Sequence, residues 1–206
     1  MSGKFDEVLR RFKGLGSALT GPRHVLGVDV GSYAVKVAFI TEESGGPALK
    51  AWGYLPLTAK PEASPEEKKL QTINSLRAFL IEKGLKIKEA VTSLSGNSVI
   101  VRYVKFPRLT KTELTATLAT EAEPFIPFDI NEVQLGFYIL EDIVEDGLKK
   151  METVLVAAKK DLVAARLDVL QGAGLSPAII DVDSFALENI HERLRDECVY
   201  LVRARH

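Results

Sequence analysis

The segment HVLGVDVGSYAVKVAFI, residues 24–40, consists of two apolar runs that are separated by Gly31 and Ser32. The alternation of valines with smaller or polar residues predicts two β-strands joined by a tight turn, and therefore a β-hairpin. This alternation does not explain Asp29, just before the turn, or Lys36, in the middle of the second run. Because a buried charge is costly unless it is paired or faces a ligand, these two charges make the hairpin the first candidate for a functional site.

Two interpretations of this hairpin stay open. In the first, backbone N–H groups at the turn and the hydroxyl of Ser32 bind a phosphate, which the glycine at position 31 allows to approach the main chain closely. Lys36 then reaches the outer phosphates, and Asp29 binds a hydrated magnesium ion. In the second, Asp29 and Lys36 form a salt bridge or lie in solvent beside an ordinary hairpin. The GxxxxGK[ST] pattern of another common phosphate loop does not occur in the sequence.

The rest of the chain alternates strand and helix patterns, which predicts a mixed α/β fold. Two capping boxes, Ser64 to Glu67 and Thr110 to Glu113, predict helices that begin at residues 65 and 111, the second ending before Pro124. Two more helices are expected, at about 160–171 and from Ser184 onward. Strands are expected at about 24–30, 34–41, 48–54, 89–94, 98–106, 133–140, 152–158 and 178–182.

Composition excludes several functional classes. With 46% hydrophobic and 27% charged residues, the 206-residue chain has the composition of a soluble globular protein. A formal net charge of −1 argues against a nucleic-acid-binding protein, which requires a basic excess. The single cysteine, Cys198, excludes an internal disulfide, and the three histidines lack zinc-ligand spacing. No signal peptide and no apolar run of about 20 residues is recognisable, so a cytoplasmic protein is expected.

The first 22 residues form a separate amphipathic segment. Phe5, Leu9, Phe12 and Leu19 follow a helical spacing, and basic residues flank this apolar stripe within residues 4–19. A basic amphipathic helix is suited to an anionic membrane surface or to a partner's groove. The alternatives are a terminal helix that packs on its own domain and a frayed tail.

Three other groups of residues are interpreted as structural. Trp52 and Tyr54, two positions apart in one predicted strand, are expected to pack on the same face. Asp183 is expected to cap the following helix rather than to pair with Asp181 in acid–base chemistry. Residues 145–147 are expected to form a solvent-exposed hairpin turn.

The hairpin and three later segments resemble known proteins. An aspartate, a glycine, a serine and a lysine with the spacing of Asp29, Gly31, Ser32 and Lys36 resemble the first phosphate loop of the actin superfamily. The segments SGNSVIVRYVKFPRLTKTEL, EAEPFIPF and VLVAAKKDLVAARLDVLQGAGLSPAIIDVDSFALENI together resemble the PilM family of type IV pilus assembly proteins. This resemblance runs from about His24 to Ile190, and the cell-division protein FtsA and the secretion protein GspL are the nearest look-alikes.

The resemblance implies an α/β fold of the actin-like, or ribonuclease H-like, type. Its first subdomain corresponds to residues 23–96 and 175–206, and a small α/β subdomain is inserted at residues 97–174. Family members continue into a second lobe that carries the other half of the nucleotide site, whereas this sequence stops at His206. We therefore expect the first lobe with its insert and no second lobe.

For the site, the resemblance implies half of an ATP site, formed by Asp29, Gly31, Ser32, Tyr33 and Lys36. Magnesium is expected at Asp29 through water only. Because the contacts of the second lobe are missing, we expect weak ATP binding that depends on Lys36. ATP hydrolysis is not expected, and no catalytic residue is assigned.

For the partner, the resemblance implies the cytoplasmic tail of a PilN-like inner-membrane protein, held in a groove between the first lobe and the insert. Candidate groove residues are Leu114, Leu118, Phe125 and Ile126, although an apolar cluster after a helix can instead belong to the core. Other pilus subunits and an anionic membrane surface are further expected partners, at the inner face of the cytoplasmic membrane. A cell-division or type II secretion component is the alternative. A sugar-kinase-like enzyme is more remote, because no segment supplies a catalytic base or a sugar pocket.

Overall fold

Strands and helices follow one another along residues 24–58 and 63–193, the part of the chain that this computed structural model describes. The strands are β1 (His24–Val30), β2 (Ala34–Glu43), β3 (Gly46–Pro56), β4 (Glu89–Leu94), β5 (Val99–Pro107), β6 (Val133–Glu145), β7 (Leu148–Lys159) and β8 (Ser176–Val182). The α-helices are α1 (Pro65–Glu82), α2 (Lys111–Ala122), α3 (Lys160–Gly172) and α4 (Asp183–Arg193). Short 3₁₀ turns cover Glu123–Phe125 and Ile130–Glu132. The predicted mixed α/β fold is confirmed.

The strands form two sheets. One has five strands in the order β3-β2-β1-β4-β8, and the other has three in the order β5-β7-β6. The three strands of the second sheet all lie within the predicted insert, residues 97–174. The chain divides into two compact units, Met1–Val91 and Thr92–His206. The predicted subdomain boundaries stay a prediction, and the amphipathic segment 1–22 lies outside the described residues.

Both predicted capping boxes are confirmed. The Ser64 hydroxyl accepts a hydrogen bond from the Glu67 N–H at 3.2 Å, and the Glu67 carboxylate accepts one from the Ser64 N–H at 2.7 Å. Thr110 and Glu113 repeat this exchange at the start of α2, with distances of 3.2 and 2.7 Å. These bonds satisfy N–H groups that lack partners inside the helix. They also lower the pKa of both glutamates, because the bonds stabilise the ionised carboxylates.

Several element boundaries differ from the prediction, and two of these differences have a clear physical reason. β6 and β7 extend to a tight turn, because Asp146 and Gly147 adopt φ values of 52° and 75°. Two successive positive φ values match the twist of a two-residue hairpin, so the ladder continues to the pair Glu145 and Leu148. The second difference concerns α4, which begins at Asp183 itself, one residue before the predicted start. Its carboxylate therefore lies in the first turn, where negative charge is favourable.

In the first unit, the antiparallel strands β1, β2 and β3 pack with one face against α1. Val28 and Val35 are buried on this face, and Leu76 and Phe79 are buried on the helix. The contact is close at Gly53, where a Cβ atom would lie only 2.5 Å from Cε2 of the Phe79 ring. The absence of a side chain in β3 therefore makes room for the helix.

The opposite face of these three strands carries exposed aromatic side chains. Trp52 is 68% exposed and Tyr54 is 58% exposed. They do lie on one face of β3, as their spacing requires, but the prediction that they pack there was wrong. The reason is that α1 covers the face of Gly53, which lies between them and points the other way.

In the second unit, the three-stranded sheet packs against α2. The core consists of buried residues from β5, β6, β7, α2 and the segment that follows α2: Val104, Phe106, Leu114, Leu118, Ala122, Ile126, Val133, Met151, Leu155 and Ala157. Val104 and Phe106, two residues apart in β5, both contribute, as alternation predicts. This cluster encloses three of the four predicted groove residues.

The hairpin turn of the second unit carries an ion-pair network that makes its stability depend on pH. The Glu145 carboxylate accepts hydrogen bonds from Lys105 and from Lys150, the latter at 2.7 Å. These bonds, chiefly that of Lys105, lower the pKa of Glu145 from 4.5 to about 2. Because the folded-state pKa is depressed, the contribution to stability is present above the ordinary pKa and is lost as pH falls towards 2.

We therefore expect the stability difference between the native protein and Glu145→Gln to shrink when pH falls from about 5 to about 2. Thermal unfolding followed by circular dichroism at several pH values measures it. Two melting curves that shift in parallel over this range would contradict the ion-pair assignment.

Candidate functional site

The two charges of the first hairpin form an ion pair. Asp29 and Lys36 are directly opposite in the β1–β2 register, and the Lys36 Nζ atom lies 2.8 Å from the Asp29 carboxylate. The hydrogen bond from Lys36 to Asp29, together with their attraction, raises the pKa of Lys36. Both side chains are about half exposed, so solvent screens the pair. Each charge is therefore satisfied without a ligand, which agrees with the second interpretation of the hairpin.

The turn between the strands uses its own backbone groups. The Gly31 N–H donates a hydrogen bond to the Ala34 carbonyl at 3.0 Å, so it is engaged inside the hairpin. A Cβ atom at Gly31 would lie 3.0 Å from that same carbonyl oxygen. Close approach of the backbone therefore explains the glycine, whose φ is not in the left-handed region. The Tyr33 carbonyl accepts from the Leu57 N–H at 2.8 Å, while the Tyr33 side chain is exposed.

A cleft of about 410 Å³ lies beside this turn in the first unit. Gly31, Ser32 and Leu57 line one side, and residues of the first two turns of α1 line the other: Lys68, Lys69, Gln71 and Thr72. The sequence analysis assigned no role to these helix residues. The signal for them in the sequence is the pair of adjacent lysines, Lys68 and Lys69, directly after the capping box.

The structure does not bring all five predicted nucleotide-site residues to this cleft. A Cβ atom at Gly53 would face Phe79 of α1, and Val37 is the register partner of Gly53. Paired residues share a face of the sheet and neighbours in a strand alternate, so Val37 points towards α1 and Lys36 points away. Lys36 and its partner Asp29 therefore lie on the opposite face, whereas Gly31 and Ser32 line the cleft.

Metal binding at Asp29 remains a prediction. Within residues 24–58 and 63–193, no three histidine, cysteine, aspartate or glutamate side chains come together in a way that could hold a metal ion. A hydrated magnesium ion at Asp29 would compete with the ammonium group of Lys36 for the same carboxylate.

The predicted partner groove is mostly core. Leu114, Leu118 and Ile126 are at most 8% exposed and belong to the cluster under the three-stranded sheet. The physical reason is the helical spacing of α2, which turns its apolar positions towards β5 and β7. Phe125 is 40% exposed, and its ring packs edge-on against Phe106 with 6.1 Å between the ring centroids. Of the four residues, Phe125 is the one that a partner can contact without displacing the core.

Among the described helices, none combines the length and the apolar character that crossing a membrane requires.

Comparisons of the chain with known proteins identify its family. The family model described as type IV pilus assembly protein PilM matches residues 27–200. A structure titled "PilM-PilN type IV pilus biogenesis complex" aligns with a TM-score of 0.69 and 31% identity, covering 84% of this chain and 52% of that one. The chain thus spans about half the length of this relative.

A second solved structure shares the fold at lower identity. It is the cytoplasmic domain of EpsL, an inner-membrane component of the type II secretion system of Vibrio cholerae, with a TM-score of 0.51 and 17% identity. The alignment covers 80% of this chain and 59% of that one. Since the PilM model matches most of the sequence and the PilM–PilN structure matches its fold, the resemblance is confirmed: the chain belongs to the PilM family of type IV pilus assembly proteins.

Proposed function

We propose that this chain is an adaptor of the type IV pilus assembly machine and that it binds the cytoplasmic tail of a PilN-like inner-membrane protein. The observation that carries the proposal is the likeness to a chain of a PilM–PilN complex, at 31% identity over 84% of this sequence. A tail of this kind would hold the adaptor at the inner face of the cytoplasmic membrane. The likeness to EpsL, at 17% identity, supports the fold alone and does not favour a role in secretion.

The surface of the second unit offers the contacts that a short tail needs. Phe125 exposes part of an aromatic ring that is already supported by Phe106. Within the three-stranded sheet, β5 and β6 are the outer strands, and an outer strand can accept main-chain hydrogen bonds from an extended peptide. Aromatic anchors in such interfaces often supply a large share of the binding energy. We therefore assign the tail contact to Phe125 rather than to the buried leucines of α2.

This proposal predicts that Phe125→Ala weakens binding of the tail about 10-fold or more, because the variant removes the exposed anchor and leaves the core in place. A fluorescent peptide from the cytoplasmic tail of the cognate PilN-like protein should bind the native chain in the micromolar range, as expected for a segment that becomes ordered on binding. Fluorescence anisotropy gives both dissociation constants.

Leu148→Ala is the matched control, since Leu148 is an exposed apolar residue of the same unit at the β6–β7 turn. It should bind the peptide like the native chain. If the folded native chain binds no peptide at high concentration, the adaptor proposal fails. If Phe125→Ala binds as tightly as the native chain, the tail contact lies elsewhere.

We also propose that ATP and magnesium bind this chain only weakly. The Gly31 N–H is already engaged within the hairpin, and Lys36 is already paired with Asp29. A phosphate at the predicted site would therefore have to displace two existing interactions. Nucleotide binding is secondary to tail binding in this proposal, and hydrolysis is not part of it.

A further inference from the structure

We propose that the amphipathic segment of residues 4–19 packs as a helix on the face of β1, β2 and β3 that points away from α1. This face carries Trp52 and Tyr54, and we call it the open face. The segment lies outside the described residues, whereas the surface that receives it is fully described. The contact is separate from the proposed tail contact, which involves Phe125 in the other unit.

The open face is unusually apolar for a surface. Five large apolar side chains on it are between 39% and 68% exposed: Val25, Ile40, Leu49, Trp52 and Tyr54. The register of the three strands places them together, because paired residues share a face of a sheet. A group of large apolar side chains on one surface usually marks a site of interaction.

Cross-strand pairing arranges these side chains in a way that suits a helix. Val25 pairs with Ile40, which pairs with Leu49, so an apolar band crosses all three strands at the end where β1 begins. In the neighbouring row, Trp52 lies opposite Ala38, whose small side chain leaves room beside the indole ring. A ridge of side chains from a helix therefore has both a band to cover and a space to enter.

The segment has the complementary pattern. Its apolar stripe consists of Phe5, Leu9, Phe12 and Leu19. A helix of 16 residues is about 24 Å long, and the seven residues of β1 extend over about 23 Å. The stripe can therefore run along the whole length of β1.

The segment is also tethered where the open face begins. Only residues 20–23 separate it from β1, and Val25, the second residue of β1, lies on the open face. Four residues span at most about 14 Å, so the segment stays close to this face. A short tether gives a contact within one chain an effective concentration in the millimolar range, which favours this segment over a separate molecule.

The charges favour the same occupant. Within the segment, four basic and two acidic side chains leave a positive balance. On the three strands, Lys36 and Lys50 are already paired with Asp29 and Glu43, and the exposed Glu42 adds negative charge. The strands therefore attract a basic helix weakly and do not by themselves attract an anionic lipid surface.

The test uses Trp52, the single tryptophan of the chain, as a reporter. In the full chain, acrylamide should quench its fluorescence less than a side chain that is 68% exposed to the described residues would allow. The double variant Leu9→Ser, Phe12→Ser should lower the docking equilibrium constant about 100-fold or more, because two apolar side chains leave the contact. Its emission should shift to longer wavelength, and its quenching should increase.

Asp6→Asn, Lys13→Gln is the matched control, since it keeps both the apolar stripe and the net charge of the segment. It should behave like the native chain, and thermal melting confirms that each variant is folded. Leu49→Ser, on the receiving face, should increase the quenching as well, and combining it with Leu9→Ser, Phe12→Ser should add little.

Three results would overturn the inference. The first is equal quenching of Trp52 in the native chain and in the Leu9→Ser, Phe12→Ser variant. The second is protection that disappears when the protein is diluted, because a second copy would then cover the face. The third is protection that arises only when phosphatidylserine vesicles are added, because the membrane would then be the occupant. The double variant should still bind the tail peptide, so failure of this contact and failure of the adaptor proposal give different results.

Discussion

Leu114→Ala is expected to lower the free energy of unfolding by about 3–5 kcal/mol. The side chain of Leu114 is fully buried in the core beneath the three-stranded sheet, where Phe106 and Met151 are almost equally inaccessible. Removing its methyl groups loses their burial and leaves a cavity that rigid neighbours cannot fill. Urea denaturation followed by circular dichroism gives the value.

Thr115→Ala is the matched control on the same helix. Thr115 is the next residue and is exposed, so the change should shift the free energy of unfolding by no more than about 0.5 kcal/mol. A similarly small effect at Leu114 would mean that α2 does not pack on the sheet, and Leu114 would again be a candidate for the partner groove. A charged replacement at Leu114 cannot test the groove, because a buried charge would unfold the unit before the peptide is added.

Gly53→Ala is expected to destabilise the first unit by about 1–3 kcal/mol, although alanine usually suits a strand better than glycine. The new Cβ atom would lie 2.5 and 2.8 Å from two carbons of the Phe79 ring, which is 3% exposed and cannot move into solvent. Either the ring leaves its preferred rotamer or α1 shifts away from β3. Thermal and urea unfolding measure the loss.

Gly136→Ala provides the comparison, since Gly136 lies within β6 and nothing stands within 4 Å of its Cβ position. This variant should be neutral or slightly stabilising. Adding Phe79→Leu to Gly53→Ala should cost less than the sum of the two single changes, because the smaller side chain relieves the clash. Equal losses at Gly53 and Gly136, or strict additivity with Phe79→Leu, would refute the close helix–sheet contact.

Much of the secondary structure could be predicted from the sequence because its signals are local. The capping boxes at Ser64 and Thr110 involve groups three residues apart, so they act in any context that forms a helix. The alternation in residues 24–40 likewise specifies a hairpin and shows which of its two faces is buried, since neighbours in a strand point to opposite faces. The opposition of Asp29 and Lys36 does not follow from these signals, because a two-residue turn at Gly31 and Ser32 would pair Lys36 with Gly27, whereas the observed register pairs Val30 with Val35.

The resemblance to PilM was also recoverable from the sequence, because it depends on the order of several segments rather than on three-dimensional contacts. The match of the family model to residues 27–200 confirms it. The nucleotide, metal and partner roles that the resemblance implies stay proposals, since the chain covers 52% of its PilM relative.

The sequence by itself thus determined the elements, their main boundaries and the family. Only the tertiary structure decided which faces are covered: α1 lies on the Gly53 side of the sheet, which leaves Trp52 and Tyr54 exposed and separates Lys36 from the cleft. In the same way, packing under the three-stranded sheet made Leu114 a core residue. The physical reason is that strand alternation and caps depend on neighbours within a few residues, whereas burial depends on which distant element supplies the opposing surface.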